Sequence, residues 1–346
     1  MFLKYFHGGI AALLLFFSAS CVNKCTVELY EPDVAKAGKT TKLMLKKANF
    51  FKEKIQGNCK NLGVFISHVS YKLYNHRFNI LAARCALLGI NQAYLECDMK
   101  KMGKSEYAES IRNLISALRR RKIKVLAVIK SPRLYASPGN IDDYLDKIIS
   151  FNNGADSADE EFDGVLSDIR PDLMTGKSKK YTKGILYKWS PYSFGKGRDN
   201  DMLMKDTFRM LKYLKGNISH GMELAQALAP EYEENFKKGY LTSGGVNEFL
   251  KDCNFVALFA FSSDRRDILD VSLNTLKSAK KKDSVLICVK TAVSQYGGAD
   301  KDESLSWKSW FKFVKDLEYV SENASSCASF GGFIFYDYNG LERMLE

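Results

Sequence analysis

Eight short apolar runs, each followed by further chain that mostly has helical spacing, limit what this sequence can fold into. The runs are LGVFISHV (62–69), NQAYLEC (91–97), IKVLAVIK (123–130), FDGVLSDI (162–169), GMELAQAL (221–228), NFVALFAF (254–261), DSVLICVK (283–290) and GGFIFYDY (331–338). Most are apolar throughout, as in strands buried on both faces of a parallel sheet. Intervals such as RFNILAARCALLG, YAESIRNLISALRRRK and WKSWFKFVKDLEYVSEN space their apolar residues as a helix does. Eight strands alternating with helices predict an α/β chain closed into a (β/α)8 TIM barrel over 58–346. An open doubly wound sheet is the competing architecture, but no glycine-rich phosphate loop follows the first run. Hydrophobic residues make up 46% of the 346, enough for a full core.

The start of the chain has a different character. MFLKYFHGG carries Lys4, IAALLLFF (10–17) is a short apolar core, and SAS (18–20) places small residues at a cleavage position. This is the layout of a secretory signal over 1–20, too short to be a membrane span. The run FSASC resembles the lipobox of bacterial lipoproteins. That resemblance implies a lipidated Cys21 as the mature N-terminus and an exported protein held at the cell envelope by its lipid. Ser18 departs from the pattern, which usually has Leu there, and a conventional signal peptide is the alternative. Residues 21–57 then read as a lysine-rich tether ending in a short amphipathic helix, TTKLMLKKANFFKEKI.

The barrel assignment directs attention to strand ends, because active residues of such barrels sit at the C-terminal ends of the strands. Asp168 and Arg170 are two residues apart and therefore point the same way. Glu96, Asp98, Asp264 and Asp337 lie near other predicted strand ends, with Lys290 and Tyr336. FDGVLSDIRP resembles the fourth strand of glycoside-hydrolase-like barrels, where Gly and a few apolar residues precede Asp-x-Glu-Pro. FAFSSDRRD (259–267), VLICVKT (285–291) and GGFIFYDYNGL (331–341) resemble the sixth, seventh and eighth strands of a group of bacterial exported barrels of this kind. The resemblance covers most of 60–346 and implies a carbohydrate ligand. It also shows two departures: Arg170 stands where the family has Glu, and Lys290 stands where the seventh strand carries another.

Glycoside hydrolysis ordinarily needs two carboxyl groups, about 5 to 9.5 Å apart, one to protonate and one to attack or activate water. Arginine, with a pKa above about 12, cannot donate that proton near neutral pH. The expectation is a carbohydrate-recognising barrel with degenerate chemistry. An active hydrolase pairing Asp168 with Glu96, Asp98, Asp264 or Asp337 is one alternative. A structural lipoprotein whose mouth is plugged by its own loops is another. For each lone acid, a helix cap or a nearby Lys or Arg partner is the commoner role.

The long segment after the fourth run, 172–198, interleaves Tyr181, Tyr187, Trp189, Tyr192 and Phe194 with basic residues. Flat aromatic faces suit the apolar face of a sugar, and the lysines favour anionic groups on it. The same residues could instead cover the barrel rim. The binding set expected is therefore Arg170, Lys290, Tyr187, Trp189, Tyr192 and Tyr336. The formal net charge of +12 fits an acidic partner or a merely solvated surface. Aromatics among lysines also suit nucleic acid, which export makes an unexpected partner. The eight cysteines, 21, 25, 59, 85, 97, 253, 288 and 327, contain no CxxC pair, and no metal or other cofactor is expected.

Overall fold

The computed structural model describes residues 39–68, 72, 77–130, 132–135, 139–175, 187–292 and 301–346. Cys21, the signal-like segment, the rest of the chain before Lys39, and 176–186 of the aromatic loop lie outside them.

Eight parallel strands close into a barrel in sequence order. They are β1 (Asn61–Ile66), β2 (Gln92–Leu95), β3 (Lys124–Ile129), β4 (Gly164–Ser167), β5 (Glu223–Leu228), β6 (Phe255–Phe259), β7 (Val285–Lys290) and β8 (Phe330–Tyr336). Each falls within a predicted run or one residue outside it. The last strand pairs back to the first, with Gly63 opposite Ile334.

Alternation along each strand divides the apolar residues into two layers. Phe65, Tyr94, Leu126, Leu166, Ala225, Ala227, Phe259, Leu286 and Ile334 fill the barrel interior, and their neighbours face the helices. Bulk is distributed unevenly. Phe65 lies 5.2 Å from Tyr94 and 6.0 Å from Phe259, centroid to centroid. Gly63 makes room for Tyr94, since a Cβ there would sit 2.6 Å from the ring. β5 contributes two small residues, Ala225 and Ala227, to the opposite side of the interior.

The helix Lys39–Ile55 (α1) packs against the barrel wall. Phe51 and Ile55 are fully buried. The Phe51 ring packs 5.8 Å from Trp310 and 5.9 Å from Phe335, and the Trp310 indole N–H donates to the Lys47 carbonyl at 2.9 Å. Trp310 opens the helix Trp310–Ala324 (α9) between β7 and β8. The helix after β8, Tyr338–Leu345 (α10), has eight residues, and α1 covers the wall beside it.

The described cysteines, Cys59, Cys85, Cys97, Cys253, Cys288 and Cys327, are all free thiols. Burial pushes Cys59 and Cys253 up to about 12, so they behave as small hydrophobes.

Candidate functional site

Inward alternation carried one step past each strand end builds the mouth. Phe65, Tyr94, Leu126, Leu166, Cys288 and Ile334 face inward, so Ser67, Glu96, Lys130, Asp168, Lys290 and Tyr336 follow on the same side. The ladder extends far enough to fix two of these: the Glu96 amide donates to Ile66 O at 3.1 Å and the Asp168 amide to Ile129 O at 2.8 Å. Gln226, between inward Ala225 and Ala227, faces the helices, where its amide donates to Ile169 O at 3.0 Å.

Asp168 is at the centre. Its side chain is 1% exposed, and Arg170 Nε donates to its Oδ1 at 2.9 Å. Lys130 Nζ stands 3.7 Å from Oδ2 and 3.5 Å from Glu96 Oε1, and donates to the Tyr336 hydroxyl at 3.3 Å. The guanidinium of Arg170 lies 4.4 Å from the Phe259 ring centroid and reaches Asp172 at 3.8 Å. Asp172 is in turn hydrogen-bonded to the hydroxyl of buried Tyr232. Burial opposes the charge on Lys130, but Glu96, Tyr336 and Asp168 outweigh it and hold the ammonium above its ordinary range. Burial likewise opposes the charge on Arg170, and Asp168 and Asp172 reverse the balance. Neither cation can exchange a proton near neutral pH.

Lys290 is occupied too. Glu303, from the segment after β7, meets its Nζ at 2.5 Å, and the ammonium lies 5.4 Å from the Phe261 ring. Lys130, Arg170 and Lys290 therefore each have a carboxylate partner.

The other predicted acids are dispersed. Asp264 caps the helix Arg265–Ser278 (α8), accepting the Arg266 amide at 2.7 Å. Asp337 caps α10, takes the Ser67 hydroxyl at 3.3 Å, and is pushed up by burial. Asp98 accepts the Lys100 amide at 3.1 Å and sits 3.4 Å from Lys101. Glu96 alone is brought toward Asp168. Sharing one ammonium at 3.5 and 3.7 Å limits their facing oxygens to a separation of about 7 Å. Beside this pair, His68, Glu96, Asp98, Lys100, Lys130 and Tyr144 line a recess of about 350 Å³. A larger cavity of about 390 Å³ lies at the opposite end of the barrel, where Arg119 is already bound to Asp163 at 2.5 Å.

The aromatic residues separate into packed and open ones. Trp189 is half-buried, 5.7 Å from both Phe194 and Tyr232, and so belongs to the rim packing. Tyr187 is half-buried. Tyr192 is 95% exposed. Tyr240, which the sequence reading missed, is 49% exposed and packs 5.9 Å from Phe194. Asp201 ties the two loops together. This buried residue in the helix Asp199–Asn217 (α5) accepts the Gly197 amide at 2.8 Å, the Thr242 amide at 2.8 Å and the Thr242 hydroxyl at 2.6 Å. Among the described residues no group of three or more His, Cys, Asp or Glu side chains could hold a metal.

Neither a family model nor a curated protein sequence matches the chain. Among solved structures, it is similar to a GH18 chitinase from Pseudoalteromonas aurantia, with a TM-score of 0.54 and 14% identity, over 82% of this chain and 96% of that one. A chitinase from Chromobacterium violaceum gives a TM-score of 0.49 at 9% identity over 83% and 98% of the two chains. The PgaB (BpsB) glycoside hydrolase domain from Bordetella bronchiseptica gives 0.48 at 12% over 82% and 96%. The likeness to the Pseudoalteromonas structure is one of fold, a closed (β/α)8 barrel.

Proposed function

We propose that the protein is an envelope lipoprotein, anchored through Cys21, whose barrel mouth recognises a carbohydrate without hydrolysing it. The observation that carries this reading is the pairing of Asp168 with Arg170 at 2.9 Å and Lys130 at 3.7 Å. A carboxylate that is already ion-paired must first shed its partners before it can act on a bound sugar. The residue standing where the resemblance implies the catalytic Glu is itself one of those partners. The fold supports a glycan ligand, as do the exposed rings of Tyr192 and Tyr240 beside the mouth.

A second reading has one observation in its favour. Glu96 and Asp168 share the Lys130 ammonium and lie no more than about 7 Å apart, below the upper limit for carboxylate pairs of glycosidases. It would require Lys130 to leave both carboxylates.

A glycan-array screen of the full chain, with Tyr192→Ala as the control, tests the binding claim. The expected result is retention of at least one glycan class, weakened fivefold or more by Tyr192→Ala. Retention of none, or no change with the variant, refutes it. For the anchor, Cys21→Ala should leave the membrane fraction on cell fractionation, and its persistence there would end that part of the proposal.

A further inference from the structure

We infer that the outer face formed by α1 and α9 is a docking surface for a bilayer bearing anionic headgroups. This goes beyond the carbohydrate reading and does not depend on it.

The two helices run side by side in the same direction. Along the pair, Lys47 meets Trp310, Phe50 meets Phe311 with ring centroids 5.1 Å apart, and Lys54 meets Glu318 at 3.1 Å. Their inner faces are buried, yet the outer face keeps large apolar groups in solvent. Leu43 is 44% exposed, Phe311 41% and Trp307, in the turn before α9, 52%. Phe50, two turns after Leu43 on the same stripe, is half-buried beside Phe311. Isolated surface apolars need no account, but a run of them on two adjoining helices does.

Lysines predominate around this run, although Glu53, 72% exposed on the same stripe as Phe50, stands 3.8 Å from Lys54. Lys42, Lys46, Lys312 and Lys315 are exposed on the two helices, and Lys301 lies 5.2 Å from the Trp307 ring. Among the described residues Lys42, Lys46 and Lys315 make no ion pair. The acids of the same face are occupied: Glu318 by Lys54, and buried Asp316 by Lys308 at 2.5 Å and Lys312 at 2.6 Å. Lysines flanking Trp, Phe and Leu form the composition of an interfacial membrane surface, where aromatic rings enter the headgroup level and ammonium groups meet lipid phosphates.

The position in the fold agrees. α9 descends from the loop after β7, so its start lies at the mouth side of the barrel, and the parallel α1 starts there too. In the sequence, the apolar run 10–17 precedes the first residue of α1, Lys39. A bilayer docked on this face would lie beside the mouth.

The test uses the full chain with vesicles of phosphatidylcholine, with and without phosphatidylglycerol, brominated in the acyl chains. Quenching of tryptophan emission reports which ring enters the lipid. This separates the patch from any binding by the N-terminal segment, which contains no Trp. The expected result is quenching on phosphatidylglycerol vesicles that disappears in Trp307→Phe. Partitioning should fall about fivefold for each neutralisation, Lys42→Gln and Lys46→Gln, and weaken with salt. Quenching that persists in Trp307→Phe, equal quenching on neutral vesicles, or no quenching overturns the inference. So does a Phe311-dependent dimer in light scattering that is unaffected by vesicles, which would assign the face to a second copy of the chain.

Discussion

Replacing Asp201 by Asn tests how the mouth loops are held. The carboxylate is buried and takes two donors on each oxygen: Thr242 N–H and hydroxyl on Oδ1, Gly197 N–H and Lys205 Nζ on Oδ2, the last two at 2.8 Å each. In Asn one oxygen becomes an NH2 group, so the Thr242 N–H faces a donor in one orientation and the Gly197 N–H and Lys205 ammonium do in the other. A hydrogen bond to a charged acceptor contributes about 1.5–3 kcal/mol. The Lys205 side chain is 40% exposed, so its share is discounted to below about 1 kcal/mol. The loss at pH 7 should be about 2–4 kcal/mol by urea unfolding. The pH dependence has a definite sign. Burial opposes the charge on Asp201, but Lys205, Thr242 and Gly197 outweigh it and hold the carboxyl well below its usual range. Its contribution is therefore complete above the unfolded pKa of about 3.9 and is lost as pH falls through the lower folded value. The gap between wild type and Asp201→Asn should narrow by about 1 kcal/mol between pH 7 and pH 3. A gap below about 1 kcal/mol at pH 7, or one that widens with acid, refutes the reasoning.

Three further substitutions test the mouth and the α1 packing. Arg170→Met leaves the 1% exposed Asp168 with Lys130 as its remaining cation and should cost about 3–5 kcal/mol in urea unfolding. Adding Asp168→Asn should recover much of that loss, and strictly additive costs would mean the pair is not coupled. Phe51→Ala should cost about 3–5 kcal/mol because the ring is fully buried between Trp310 and Phe335. A thermal unfolding midpoint unchanged by it would contradict that packing.

The barrel was readable because its information is local. Runs such as VLAVI and FVALF are apolar without alternation, and each interval carries its own periodicity. The common side of Asp168 and Arg170 was likewise local, given by their spacing. What needed the closed barrel was long-range. Lys130 ends a run that gives no sign of Glu96 on the preceding strand or Tyr336 five strands on. Lys290 found Glu303 in a segment without periodicity. α1 was legible as a helix, but its partners Trp310 and Phe335 lie more than 250 residues later in the chain. Tyr240 follows an interval whose pattern was weak, and nothing marked it as a neighbour of Phe194. Asp264 and Asp337 could have been set aside earlier, since each directly precedes a helix, where aspartate commonly caps.

The most direct measurement of the central claim is product analysis by mass spectrometry after prolonged incubation of the full chain with each glycan it retains. With Asp168 locked between Arg170 and Lys130, every glycan should be recovered intact, in amounts equal to those left by Asp168→Asn. Cleaved product that forms with the wild type and vanishes with Asp168→Asn would contradict it.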